Sequence, residues 1–204
     1  MRRTATAAAR ARGVYDPTMF LAKNRPWQRR VVIAWSLFAG LAVLWDFSWC
    51  FVFRKLQAAG IDHDWRIVWA VYGKADERYL RGDRYLLVLE FITGLCSLLD
   101  FYVVYQLIRG ARARALVALF AVSVMEIYGA LIYFGSEALN HFADVDTASF
   151  VHTWLMFAGM NSLWLFFPGW CVYQVAAELA GSGGARRPLP SPRSHAGEHA
   201  LSFR

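Results

Sequence analysis

Charge is scarce in this chain. Of its 204 residues only 18% are Asp, Glu, Lys or Arg, against roughly a quarter in a soluble domain. With 57% hydrophobic residues, the chain holds more apolar surface than a water-facing fold of this length can hide. Cysteine is also sparse. Cys50, Cys96 and Cys171 each lie inside an apolar run and are far apart in sequence, which excludes a disulfide framework or a cysteine metal motif. They read as small buried hydrophobes. No nucleotide-, flavin- or metal-binding pattern and no internal repeat is present, so no cofactor is expected. The acidic stretch 137–149 contains neither Lys nor Arg.

What the chain does have is long apolar runs. A spanning helix needs about 20 predominantly apolar residues. Four stretches meet that length: Val31 to Phe53, Tyr85 to Ile108, Ala115 to Gly135 and Phe150 to Leu179. The expected fold is an all-α membrane protein, a four-transmembrane-helix bundle with an intramembrane polar cavity. Pro168 is expected to kink the last helix or free one of its backbone bonds. The connection between the first two runs is polar, and its piece Trp65 to Tyr72 reads as a short amphipathic helix at the interface. Residues 1–30, rich in Arg and Ala, read as a disordered basic arm, 31–180 as the membrane domain, and 181–204, rich in Gly, Pro, Ser and Arg, as a disordered tail.

The formal net charge is +7. Nucleic acid is excluded as a partner, because the basic residues flank apolar runs and so read as topology signals and lipid-headgroup contacts. Arginines cluster in the N-terminal arm, at Arg109 to Arg114 and in the tail, which places both termini in the cytoplasm. The connection from Arg54 to Arg84 dissents with seven basic residues, partly offset by five acids.

Inside these runs sit groups that lipid disfavours. Asp46, Glu90, Asp100 and Glu126 each cost roughly 2.5–3.5 kcal/mol on insertion scales, so a bundle-facing position is the default, with at least one acid from each of three helices turned inward. Glu90, Thr93 and Ser97 share one helical face, as do Ser123 and Glu126, and Asn161 and Trp164. Asp46 and Glu90, deep in their runs, favour function. Asp100, near a helix end, reads as a snorkelling or capping residue. Glu126 reads equally as a structural hydrogen-bonding group or a ligand contact, His152 as interfacial, Asn161 as a contact or a helix tie, and Trp164 alone as packing. If the polar faces converge, they enclose carboxylates, an amide and aromatic walls. A carboxylic acid in an apolar pocket can hold its proton at neutral pH, and an aromatic face stabilises a cation. Such a cavity suits acid–base chemistry on a hydrophobic substrate, or binding of a cationic amphiphile. A transporter or proton channel fits less well, because no pair of broken helices is present.

The chain carries Tyr72-Gly73-Lys74-Ala75-Asp76-Glu77-Arg78-Tyr79, Gly82-Asp83, Glu90-Phe91-Ile92-Thr93, Val122-Ser123-Val124 with Ile127-Tyr128-Gly129 and Tyr133-Phe134, and Met160-Asn161-Ser162-Leu163-Trp164-Leu165 with Pro168-Gly169. Together these motifs resemble the emopamil-binding protein family. The similarity runs from about Ala34 to Glu178. It implies the bundle of EXPERA-type membrane proteins and an isomerase that moves a ring double bond of a sterol or related polycyclic terpenoid by protonation and deprotonation. On this resemblance Asp46, Glu90 and Asn161 are catalytic, and Thr93 and Trp164 contact substrate; Glu126, which the family pattern does not match, joins the substrate contacts as a stand-in for the family's histidine. The family's histidine, one turn before its first acid, is Ala42 here, and the Asp that can follow Tyr-Gly is Ala130. These departures, with the absence of an extra leading helix, place the chain nearer the emopamil-binding-like branch. The alternative is a non-catalytic binder of sterols or cationic amphiphiles. Implied partners are a sterol or terpenoid, membrane lipids, cationic amphiphilic amines as inhibitors, and a second copy of the chain. The implied location is the endoplasmic reticulum in a eukaryote and the inner membrane in a bacterium.

Overall fold

A computed structural model of the chain describes residues 20–21, 25–59 and 67–183. The expected arm and tail lie almost wholly outside the described residues. The described elements are α1 (Pro26–Ala59), α2 (Ile67–Ala75), α3 (Arg78–Arg81), α4 (Arg84–Ile108), α5 (Arg112–Leu139), a π-helical segment (Val151–Met160) and α6 (Asn161–Gly183), which continues it. Among the described residues, four helical stretches are long and apolar enough to cross a membrane: Pro26–Phe51, Arg84–Ile108, Arg112–Leu139 and Val151–Ala180. The protein is a four-helix membrane bundle.

The helices extend past the apolar runs, and basic residues at their ends find partners in the protein: the Arg29 guanidinium donates to the Leu107 carbonyl at 2.6 Å, and that of Arg112 to the Phe20 carbonyl at 2.9 and 2.8 Å. The first helix, α1, begins at Pro26, suited to a first helical turn because it has no N–H to leave unpaired, and α5 begins at Arg112. Asp83 caps α4: its carboxylate accepts a hydrogen bond from the Leu86 N–H at 2.9 Å, satisfying one of the free donors of the first turn.

Neighbours in sequence are neighbours in space. α1 packs along α4, α4 along α5 and α5 along α6. At one end, Phe20, Val32, Val103, Leu107, Leu119 and Cys171 close a buried apolar cluster. At the other, Trp49, Trp69, Tyr79, Leu86, Tyr133 and Phe157 form a second, largely aromatic one. The seam between α1 and α6 is also aromatic. Trp35 stacks on Phe167 with centroids 4.6 Å apart and planes at 8°, and meets Trp164 edge-on at 5.4 Å.

Two features refine the sequence reading. The short helix after α1 is described as Ile67–Ala75, and it packs against the bundle: Trp69 is buried and Tyr72 half-buried. The acidic stretch after the third run is partly helix, since α5 continues to Leu139 and Glu137 is buried. The loop that follows is tied back to the α2–α3 junction. Glu77 N–H donates to the Asp144 carbonyl at 2.8 Å and Asp146 N–H to the Ala75 carbonyl at 3.2 Å. The two connections are therefore one layer covering one end of the bundle.

The last span starts in wide π winding, where a carbonyl lies under the residue five positions on. Gly159 shows why the sequence tolerates it: a Cβ there would sit 2.9 Å from the Trp154 carbonyl oxygen. At Asn161 the winding returns to α. Further on, Pro168 is buried within α6. Having no N–H, it leaves the Trp164 carbonyl without its usual helical donor.

Candidate functional site

A cavity of about 300 Å³ lies between α1, α4, α5 and the last span, roofed by α2 and α3. That volume is at the lower end of ligand-sized sites. All six residues singled out from the sequence line it: Asp46, Glu90, Thr93, Glu126, Asn161 and Trp164. Asp100 lines it too and is 1% exposed. The expectation that Asp100 snorkels or caps is therefore corrected: about two turns remain after it before α4 ends at Ile108, and the carboxyl points into the bundle. Ser123 is buried but is not part of the cavity wall, whereas Glu126, one turn on, is. His152 lies outside it, its Nδ1 2.6 Å from the Asp146 carboxylate at the head of the last span.

The antiparallel pairing of α1 with α4 sets Asp46 opposite Glu90, close enough for the two carboxyls to feel each other's charge. Glu90 is held from above by α3. The Tyr79 hydroxyl donates to Glu90 Oε1 at 2.5 Å. Burial, then the nearby Glu90 charge, push the Tyr79 hydroxyl well above the usual tyrosine range, so it keeps its proton and remains the donor. Tyr79 is itself fixed by Trp49, whose indole N–H donates to the Tyr79 carbonyl at 3.1 Å, and by Trp69, stacked at 5.6 Å. Thr93 turns its hydroxyl to the backbone carbonyls of Leu89 and Glu90, at 3.0 and 3.2 Å.

Asn161 sits where π winding meets α winding. Its amide donates to the Phe157 carbonyl at 2.6 Å, one turn back, and to the Tyr72 hydroxyl at 2.7 Å. The amide thus reaches α2 rather than either acid. Behind it a buried polar chain runs away from the cavity. The Tyr72 and Tyr133 hydroxyls are 3.3 Å apart, and Tyr133 donates to Asp76 Oδ2 at 2.5 Å. Asp76 takes a two-pronged contact from Arg78, which also reaches Glu137 at 3.1 Å and the Ser136 hydroxyl at 2.9 Å. Burial alone would depress Arg78. Hydrogen bonds and charge from Asp76, with Tyr133 and Glu137, outweigh it and hold the guanidinium protonated.

The side chains that sequence reasoning missed are Trp69, Tyr72, Tyr79 and Tyr133. Tyr72, Tyr79 and Tyr133 stood inside recognised motifs, and the signal was their spacing: Tyr72 and Tyr79 flank a run of charges that a solvated loop would not need to cover with aromatics. Apart from Ser97, the remaining wall is apolar, from Phe38, Ala42, Leu89, Val122, Ala130 and Leu163 among others. Phe38, Trp45, Met160 and Leu163 line the cavity and are also exposed. Among the described residues no group of three or more His, Cys, Asp or Glu is placed to hold a metal.

A sequence profile described as EBP, the EXPERA (EXPanded EBP superfamily) domain, matches residues 65–175. The chain is similar to the 3-beta-hydroxysteroid-Delta(8),Delta(7)-isomerase of Rattus norvegicus, 31% identical over 116 residues, covering 56% of this chain and 50% of that one. It is 28% identical over 181 residues to the protein of the same name from Cavia porcellus, covering 85% of this chain and 78% of that one. It is 27% identical over 143 residues to an isomeliandiol synthase of Melia azedarach, covering 68% and 64%. The chain thus spans about half the length of the rat protein that it matches.

Proposed function

The chain belongs to the EXPERA (expanded EBP) superfamily, and from that premise we propose that it is a membrane isomerase shifting a carbon–carbon double bond in a sterol or related polycyclic terpenoid. The observation that carries this reading is the facing pair Asp46 and Glu90 in an apolar cavity, with a protonated tyrosine on one of them. The names of the relatives support the substrate class.

The reaction is redox-neutral. One carboxylic acid of the pair gives its proton to an alkene carbon, leaving a carbocation on the other. The opposite carboxylate removes a proton from the carbon next to the cation, and that C–H electron pair forms the new double bond. One proton has entered the substrate and one has left, and exchange between the facing carboxyls resets the pair. Trp164 presents its ring to the cavity and stabilises the cation through its π face. Tyr79 orients Glu90, Thr93 stiffens the turn that carries it, and Asn161 holds the roof through Tyr72.

The test is turnover of a Δ8-sterol by purified protein in detergent and deuterated water, with products read by mass spectrometry. A shifted double bond carrying one added deuterium is the expected result. Unlabelled product would mean a route without a solvent-exchanging acid and would sink the mechanism. The non-catalytic binder is the second reading, favoured by Ala42, which lines the cavity one turn before Asp46 and contributes no titratable group. Saturable sterol or amine binding with no conversion would establish it.

Both termini are proposed to lie in the cytoplasm, in the endoplasmic reticulum membrane of a eukaryote or the inner membrane of a bacterium. A single cysteine in the 140–149 loop should react with an impermeant maleimide from the side opposite to one placed at Arg109; labelling of both from one side would refute the orientation.

A further inference from the structure

The cavity has a second acidic pole that the proposed chemistry leaves unused. Asp100 on α4 and Glu126 on α5 both line it, and they lie close enough to interact. Ser36 of α1 lies against Asp100, and the Trp35 indole faces Glu126. Yet Asp100 Oδ1 and both Glu126 carboxyl oxygens are buried without a hydrogen-bond partner of good geometry. The nearest donors, Ser36 Oγ and Trp35 Nε1, are buried and unpaired as well, so the wall holds more acceptors than donors and none of these groups is satisfied, which is costly because a buried polar group without a partner forfeits its hydration. The Glu90 pole differs: there Tyr79 supplies the donor at 2.5 Å.

The spacing decides what the second pole can meet. Ten residues separate Glu90 from Asp100, on the order of 15 Å along the helix axis at about 1.5 Å per residue. A sterol whose ring double bond sits between Asp46 and Glu90 cannot bring its ring hydroxyl that far, because that hydroxyl is only two rings away. The end of a side chain can reach it. We infer that the Asp100–Glu126 pole is a second recognition subsite, which takes a hydrogen-bond-donating group, hydroxyl or ammonium, at the end of the ligand remote from the reacting double bond. The preferred ligand therefore carries polarity on its side chain as well as its ring system. The inference rests on the proposed placement of the double bond at Asp46 and Glu90.

The test is equilibrium binding in detergent of three matched ligands: a Δ8-sterol, its analogue hydroxylated at the side-chain terminus, and its analogue with a primary ammonium there. The wild-type protein is expected to bind at least one substituted analogue about tenfold more tightly than the parent, the effect of one hydrogen bond to a buried carboxyl. A larger gain for the hydroxyl assigns a neutral donor, and a larger gain for the ammonium assigns an ionised pair. Asp100→Leu and Glu126→Gln should each cut that preference to near unity while still binding the parent sterol, which also reports that the variants are folded. Equal affinity of all three ligands for the wild type, or a preference unchanged in both variants, overturns the subsite. Failure of the isomerase reading is distinguishable, since it appears as absent turnover with the binding difference intact.

Discussion

Glu90→Gln should lower kcat by on the order of 10²–10⁴-fold, the usual contribution of a positioned proton donor or acceptor. The substitution is chosen because it changes little else. Glutamine keeps the side-chain length, and its carbonyl oxygen can still accept from the Tyr79 hydroxyl that now donates to Glu90 Oε1. Cavity shape and apolar walls should persist, so substrate affinity should move far less than kcat. What is lost is a proton that can leave and return. Asp46→Asn should act in the same way from the opposite wall. The two losses should not add: one acid must deliver a proton and the other must take one away in every cycle, so losing either stops the cycle and the double variant is little worse than either single one, as for groups that act as one unit. Steady-state turnover with melting temperature as the folding control checks this. Full turnover in Glu90→Gln would end the proposed mechanism. Multiplicative losses would mean that the two acids do not work as one coupled pair.

The six side chains singled out from the sequence converge on one cavity because burial in a membrane is a strong sorting rule. A carboxylate in a long apolar run has few places to go, so Asp46, Glu90 and Glu126 could be assigned to the interior from composition alone. The four spans were legible for the same reason. The roof was not. Trp69, Tyr72 and Tyr79 lie in a connection whose charges resemble a solvated loop, and only the fold shows that Asp76 and Arg78 neutralise each other in its interior. Asp100 was misjudged because distance from a helix end was counted along the sequence, while its environment is set by Ser36 on the antiparallel helix. The π winding before Asn161 left only the weak signal of Gly159, since hydropathy is blind to the number of residues per turn. Asn161 was found by motif, but its partner could not be, because Tyr72 lies 89 residues away in sequence.

Asp76→Ala should destabilise the protein by about 3–5 kcal/mol, the range for removing one partner of a buried ion pair. Asp76 is fully buried, and it satisfies the Arg78 guanidinium from two sides while accepting from Tyr133 at 2.5 Å. Without it Glu137 is the remaining carboxylate on Arg78 among the described residues, at 3.1 Å. The guanidinium then stays charged in a site that no longer offsets its desolvation. Asp76→Asn should cost less, because the amide oxygen in the Oδ2 position can still accept from Tyr133 and one arm of Arg78, though the donors on Oδ1 lose their acceptor and the net charge of the cluster rises by one. The damage should reach the cavity. Tyr133 meets Tyr72 at 3.3 Å and Tyr72 meets Asn161 at 2.7 Å, so a loosened Asp76 removes the far anchor of the roof. Turnover should therefore fall in Asp76→Asn even at temperatures where the protein remains folded. Reversible unfolding in mixed detergent gives the stability difference, and the same preparation gives the rate. A loss below about 1 kcal/mol for Asp76→Ala would place the cluster among solvated surface pairs and would contradict its burial.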